Sequence, residues 1–338
     1  MKLLITGGLG FIGTNFIRHW FLAHPDDSII NLDKITYAAN PKNLIEFEGK
    51  KNYQFVKGDI LDTDLVDPLV SQVDVIVHFA AESHVDRSID DPLLFVKTNV
   101  LGTYTLLSAA KKHQKRFHHV STDEVFGSIP LGSDEQFHEL TPYDPSSPYS
   151  ASKAASDHFV RSFHKTFGLP ITISNCSNNY GPYQHPEKMI PRTITNILAG
   201  EKVKVYGQGE NFRDWLHVED HCRAIETIIL HGKIGETYCI GGLKKGTANI
   251  DLVQHILSLM GKDESFIEYV TDRPAHDNYA VNWEKIHQEL GWEPQYTLDT
   301  GLHQTIDWYQ KHQNWYQDSK KEAEIFYQKL ADYKNIHK

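Results

Sequence analysis

The segment Thr6-Gly7-Gly8-Leu9-Gly10-Phe11-Ile12-Gly13 constrains this chain more than any other. It follows a short apolar run, Lys2–Ile5, that reads as a strand, and opens an amphipathic run, Phe11–Leu22, that reads as a helix. Gly8, Gly10 and Gly13 satisfy G-x-G-x-x-G, while Gly7, Gly10 and Gly13 satisfy G-x-x-G-x-x-G. Glycine is needed for the turn angles, for close backbone approach to a pyrophosphate, and for packing the helix on the strand. The helix N-terminus then offers N–H groups and a favourable dipole to the anion. Asp33 stands 20 residues beyond Gly13, at the end of the second apolar run, where a carboxylate accepts from ribose hydroxyls. A glycine motif alone is weak; the preceding strand and the acid at this distance make it specific. Asp33 would repel a 2′-phosphate and so favours NAD over NADP, a preference that Lys34 offsets in part. Asp59, after the Tyr53–Lys57 run, is a candidate for the adenine edge.

The pattern continues through residue 180. Ser28–Leu32, Tyr53–Lys57, Val73–Phe79, His118–Ser121 and Pro170–Asn175 read as further strands between helical or loop segments. Short continuous apolar runs mark strands buried on both faces, as in a parallel sheet. The expected class is α/β, a Rossmann-like doubly wound parallel sheet with a smaller, interleaved α/β lobe. Residues 1–180 are expected to form the dinucleotide domain, with a returning segment at about 216–241 that includes a strand at Glu236–Ile240. Residues 181–215 and 242–312 form the second lobe, which ends in a helix around Leu298–His312, and 313–338 a C-terminal surface helix or tail.

Composition narrows the partners. With 34 Lys and Arg against 44 Asp and Glu the net charge is −10, which argues against a nucleic-acid surface. Hydrophobic residues are 40%, enough for a core. No uninterrupted apolar stretch approaches about 18 residues, so no spanning segment is expected. The N-terminal apolar run meets glycines too early for a signal peptide. Cys176, Cys222 and Cys239 are isolated and fit a reducing compartment, with cytoplasm the expectation.

Two constellations carry chemistry. Tyr149 and Lys153 lie four apart and share one face of a helix. A nearby ammonium lowers the phenol pKa of about 10, so the tyrosine can exchange a proton near neutral pH. Ser121-Thr122-Asp123-Glu124 follows the His118–Val120 strand. Neighbouring strand residues face opposite ways, so Asp123 and Glu124 can both face a pocket only if the chain leaves strand geometry there. Adjacent carboxylates can divide into one acid and one base.

Together with Asn31-Leu-Asp-Lys-Ile-Thr-Tyr37, Ala80-Ala-Glu-Ser-His-Val-Asp-Arg-Ser88, Cys176-Ser-Asn-Asn-Tyr-Gly-Pro-Tyr183, Pro186-Glu-Lys188 and Arg213-Asp-Trp215, these residues resemble the sugar-nucleotide dehydratases of the extended short-chain dehydrogenase/reductase family. The resemblance runs from about residue 1 to 310, and the Asp–Glu pair is its most diagnostic element, since related epimerases generally lack it. It implies dehydration of a nucleoside-diphosphate glucose, dTDP-glucose first, to the 4-keto-6-deoxy sugar on a tightly held NAD. Tyr149 with Lys153 would serve the C4 hydroxyl, Thr122 would bond it, Glu124 would take the C5 proton and Asp123 protonate the C6 hydroxyl. The cofactor set implied is Gly7, Gly10, Phe11, Ile12, Gly13, Asp33, Lys34, Thr36, Asp59, Ile60, Ala80, Ala81, Ser83, Thr98, Tyr149, Lys153 and Asn179. The substrate set is His84, Thr122, Asn178, Lys188, Met189, Lys204, Tyr206, Arg213, Asn249, Arg273 and His276. A homodimer through helices near Leu93–Lys112 and Ala151–Phe167 is implied as well.

Three departures fall in the nucleotide lobe. Arg273-Pro-Ala-His-Asp-Asn-Tyr279 is one residue shorter than the family pattern and lacks its double arginine, the 241–249 loop is one residue longer, and Cys239 replaces a common Asn. They leave the base open between dTDP, UDP and another. His217 and His221, four apart, lack a third ligand, so no metal is expected.

Overall fold

The computed structural model describes residues 1–243, 245–271 and 277–336. Its centre is a parallel sheet of seven strands: β1 (Lys2–Thr6), β2 (Ser28–Asp33), β3 (Tyr53–Lys57), β4 (Val75–His78), β5 (Arg116–Thr122), β6 (Ile171–Cys176) and β11 (Thr237–Ile240). The order is β11-β6-β5-β4-β1-β2-β3, with every pairing parallel. All strands but β3 are almost wholly buried, as strands covered on both faces are. The edge strand β3 is half exposed.

Alternation sends Leu3 and Ile5 to one face and Leu4 to the other. On the first face they meet Phe16, Ile17 and Trp20 of α1 (Phe11–Ala23) and Ile225 of α8 (Val218–His231). The opposite face is covered by α2 (Thr63–Ser71), by the helical run α3 (Val85–Asp90), α4 (Pro92–Phe95) and α5 (Thr103–His113), and by α6 (Pro148–Phe167). The run Pro92–His113 has the length and apolar composition to cross a membrane, although it holds no uninterrupted apolar stretch of that length. Here it packs on α2 and α6.

The second lobe holds β7 (Asn178–Tyr180), β8 (Val203–Tyr206), β9 (Phe212–Arg213), β10 (Trp215–His217), β12 (Thr247–Ala248) and β13 (Ile267–Val270), joined in pairs. Its helices are α7 (Met189–Ala199), α9 (Asn249–Leu259) and α11 (Leu298–Lys311), whereas α10 (Glu284–Leu290) packs on α8 and β11 of the sheet layer. α7, α9 and α11 share a separate core around Ile190, Ile194, Leu252, Ile256 and Leu302. The chain returns to the sheet layer through α8 and β11 before re-entering this lobe.

The C-terminal segment expected as a surface helix or tail forms the helix α12 (Gln313–Ile336), part of which is buried. Tyr316 and Ala323 are buried, and Tyr316 joins the second core. The reason is an apolar face within the mixed charged sequence, which a reading of composition averages away.

Candidate active site

The glycine turn sits between β1 and α1. Gly7 has φ +74°, and a Cβ there would come within 2.7 Å of the Ala80 backbone, so only glycine fits. α1 starts after Gly10 with no side-chain cap, which leaves its first-turn N–H groups available to an anion. Asp33, at the end of β2, accepts from Leu9 N–H at 2.9 Å and Ile35 N–H at 2.8 Å. Burial raises its carboxyl, and those two N–H groups oppose the rise. Lys34 pairs with Asp59 at 2.7 Å. A cavity along the C-terminal ends of β1, β2, β4 and β5 is lined by all seventeen residues expected to hold the cofactor, from Gly7 to Asn179. The residue set therefore fits a dinucleotide: a glycine cradle, an uncapped helix start and an acid beyond the second strand.

At the end of β5 the chain does leave strand geometry. Asp123–Phe126 forms a single 3-10 turn, and the Thr122 hydroxyl caps it by accepting from Glu124 N–H at 3.2 Å. Glu124 faces the cofactor cavity and also a second one beside it. Asp123 does not line either; it is enclosed behind the turn, where the Thr122 hydroxyl donates to Oδ1 at 3.3 Å. Its Oδ2 has no hydrogen-bond partner among the described residues. Burial pushes this carboxyl well up, and the charges of Glu124 and Asp214 push it further. The two neighbouring acids thus occupy different environments, as a division into acid and base requires.

Tyr149 and Lys153 lie on the first turns of α6, both buried and both on the cofactor cavity. The expected depression of the phenol by the lysine is not found. Burial, then the charge of Glu124, raises Tyr149 well above its ordinary value, and the Thr122 hydroxyl opposes them. The Lys153 ammonium instead donates to the Val120 carbonyl at 2.8 Å. Desolvation, which spacing along a helix does not reveal, dominates here.

The second cavity lies between the sheet and the smaller lobe. His84, Asn178, Lys188, Met189, Lys204, Tyr206, Arg213 and Asn249 line it, as expected of a substrate site. Thr122 lines the cofactor side. Arg273 and His276 lie outside the described residues. Arg213 is buried, donates to the Phe212 and Asp277 carbonyls, and stands 4.6 Å from the Tyr279 ring centre. Asn249 opens α9 but is not its cap, which is Ala248. His217 caps α8 and stacks on Tyr296 at 3.9 Å, whereas His221 bonds Asn179 at 2.8 Å.

Several lining residues were not singled out from sequence. Glu187 borders both cavities and accepts from the Tyr37 hydroxyl at 3.0 Å. Arg192, Tyr279 and Tyr327 line the second cavity. Glu187 stood inside the quoted Pro-Glu-Lys motif, a signal that could have found it. Tyr327 belongs to α12 and gave none. Its hydroxyl donates to the Glu187 carbonyl at 3.1 Å and lies 3.3 Å from His84 Nε2.

The sheet, the glycine cradle and the Tyr–Lys helix define an extended short-chain dehydrogenase/reductase, with a second cavity meeting the first at Glu124. The chain belongs to the nucleotide-sugar 4,6-dehydratase family: residues 4–305 match the family described as GDP-mannose 4,6 dehydratase. It is 48% identical over 330 residues to a dTDP-glucose 4,6-dehydratase of Mycobacterium tuberculosis, spanning 97% of this chain and 99% of that protein. A Xanthomonas campestris dTDP-glucose 4,6-dehydratase is 51% identical over 336 residues, spanning 93% and 94%. Among solved structures, the dTDP-glucose 4,6-dehydratase DesIV of Streptomyces venezuelae, with NAD and TYD bound, superposes with a TM-score of 0.91. It is 46% identical and spans 94% of this chain and 100% of its own.

Proposed function

We propose that this chain is a hydro-lyase that converts dTDP-glucose to the 4-keto-6-deoxy sugar nucleotide with tightly bound NAD. The observation that carries the reading is the pair of adjacent acids after β5. Glu124 stands where the two cavities meet, and Asp123 is enclosed and its carboxyl pushed up. An epimerase needs no such acid and base. NAD, held by the glycine cradle and Asp33, supplies the hydride acceptor for C4 and the hydride donor for C6.

The chain's own groups do the rest. Tyr149, whose burial-raised phenol the positive charge of a bound nicotinamide would bring back down, would take the proton of the C4 hydroxyl, with the Thr122 hydroxyl at the same oxygen. The 4-ketone acidifies the C5 proton, and Glu124, open to the substrate cavity, removes it. Asp123 remains protonated and, by a rotation of its side chain out from behind the turn that now encloses it, delivers its proton to the C6 oxygen as water leaves. Glu124 then returns a proton to C5. Arg213 and Asn178 hold the diphosphate, for which a planar guanidinium fork is suited. The sheet layer, 1–180 with 216–241, serves as the NAD domain, and 181–215 with 242–312 as the sugar-nucleotide lobe.

The partner is a second copy of the chain. Leu93, Leu101 and Tyr104 of the α4–α5 run and Phe159 and Phe167 of α6 are large, apolar and exposed on adjacent helices. Three separate thiols and a sugar-nucleotide substrate support a cytoplasmic setting. The test is incubation with dTDP-glucose and, separately, UDP-glucose, following product mass. Loss of one water with dTDP-glucose supports the reading, and loss with UDP-glucose alone reassigns the base. No loss with either, in protein shown to carry NAD, overturns it. Light scattering reads the oligomer, and a monomer would refute the dimer.

A further inference from the structure

Below the catalytic end of α6 lies a buried charge that the proposed chemistry does not use. Asp157 stands one helical turn beyond Lys153, on the same face, and is fully enclosed. Its Oδ2 accepts from the Tyr143 hydroxyl at 2.6 Å and the Asn175 amide at 3.1 Å. Its Oδ1 lies 3.2 Å from His119 Nε2. The same Asn175 amide nitrogen donates to the Thr122 carbonyl at 3.0 Å. His119 precedes Val120, whose carbonyl receives Lys153. One carboxylate therefore ties α6, β5 and β6 at the level of Thr122 and Lys153.

A buried ion without a counter-charge is costly, so the groups facing it decide its meaning. From β5, His119 is neutral at ordinary pH: burial, then the Lys153 charge, push it down to about 4. From β4, His78 faces His119 and Lys153, and burial holds it well down too. From β6 come Asn175 and Cys176, whose thiol burial pushes up. From the loop before α6 comes Tyr143, raised by burial and by Asp157 itself. Arg161, one turn further on, donates to the Tyr143 hydroxyl at 2.7 Å. Burial works to raise Asp157, yet His119, Lys153 and Tyr143 bring it down to about 2. In return, burial lowers Lys153 and Asp157 is the largest influence opposing it. Lys153 thus acts on this carboxylate through its charge rather than through an ion-pair contact, and Arg161 reaches it through the Tyr143 hydroxyl.

We propose that Asp157 is a positioning residue for the C4 oxidation, being the counter-charge of Lys153 and, through Asn175, the anchor of the Thr122 backbone. The inference rests on the reading that Tyr149 and Lys153 serve the C4 hydroxyl.

The test is Asp157→Asn, with Asp157→Glu returning the charge, assayed for kcat and KM with dTDP-glucose from neutral into alkaline pH. Asp157→Asn should lose about tenfold or more in kcat, with KM within about twofold of the parent. Its alkaline limb should move to lower pH, because an unbalanced buried ammonium loses its proton sooner. Asp157→Glu should restore the limb. An equal loss at every pH with the limb in place overturns the inference. If Asp157→Asn fails to fold, Lys153→Met/Asp157→Asn decides the matter. With both charges gone it should fold and melt above either single variant. A double variant that unfolds as readily as Asp157→Asn would make Asp157 a packing residue only. Absence of water loss from dTDP-glucose by NAD-loaded parent protein would defeat the functional reading, while the melting cycle still decides the coupling of Asp157 to Lys153.

Discussion

Arg192 and Glu324 meet through two parallel hydrogen bonds, Nε to Oε1 at 2.9 Å and Nη2 to Oε2 at 2.8 Å. This fork fastens α12 to α7, and the same guanidinium lies 3.8 Å from the Tyr327 ring centre. Arg87, in turn, stands between the Tyr37 and Phe326 rings at 3.8 Å and 4.3 Å. The last helix is thus held against the second cavity by cations from two other elements. Glu324→Gln should loosen it. A partly exposed fork is worth about 1 kcal/mol, so KM for the sugar nucleotide should rise roughly fivefold with kcat nearly unchanged. Steady-state kinetics would check this, and an unchanged KM would remove Tyr327 from the working wall.

Asp123→Asn removes the proposed acid while keeping its shape. Water elimination should slow by about 10²–10⁴-fold. Oxidation at C4 does not need this proton, so reduced cofactor should accumulate on the enzyme during a single turnover. Stopped-flow absorbance of NADH reads that directly; a variant that never reduces its cofactor would assign Asp123 to the first step instead.

Asp214 predicts a pH dependence of stability. Burial lifts its carboxyl to about 7, against the N–H bonds from Leu243 and Gly242. The folded state therefore holds a proton that the unfolded chain has released above its ordinary value near 4. Its contribution to stability is complete below about pH 4 and is lost as pH rises through about 7. Asp157, held down to about 2, acts oppositely, losing its contribution only as pH falls below about 4. Urea unfolding of Asp214→Asn should show a flatter slope between these limits and a gain at pH 8. An unchanged slope would mean the carboxyl is ionised in the fold.

Gly7→Ala should fail for two reasons, a left-handed backbone and contact with Ala80. Together these cost about 1–3 kcal/mol of stability. NAD recovered with the purified protein should also fall. Thermal melting and released-nucleotide absorbance measure the two effects separately.

The sheet was legible because its central strands are buried on both faces: Val75–His78 and Ile171–Cys176 show no solvent face to confuse the pattern. The cofactor cradle was legible because Gly7 and Gly13 answer to local backbone demands. Asp123 and Glu124 were legible as a pair, since both could serve one site only if the chain left strand geometry, but nothing local showed that Asp123 is enclosed behind the turn. Three things were not. Tyr327 reaches His84 across 243 residues, and no local pattern records such a contact. The Tyr149–Lys153 spacing was right, but its electrostatics follow from burial and from Glu124, which the spacing does not contain. The face of α12 that buries Tyr316 is diluted by the charges around it.

The strand β11 enters the sheet from a chain that has already built part of the smaller lobe, and leaves again to finish it. No contiguous cut of the gene separates the two halves of the substrate pocket. A donor lobe from a relative with another sugar could not be spliced in as a cassette without also importing α8, β11 and the register of β11 on β6.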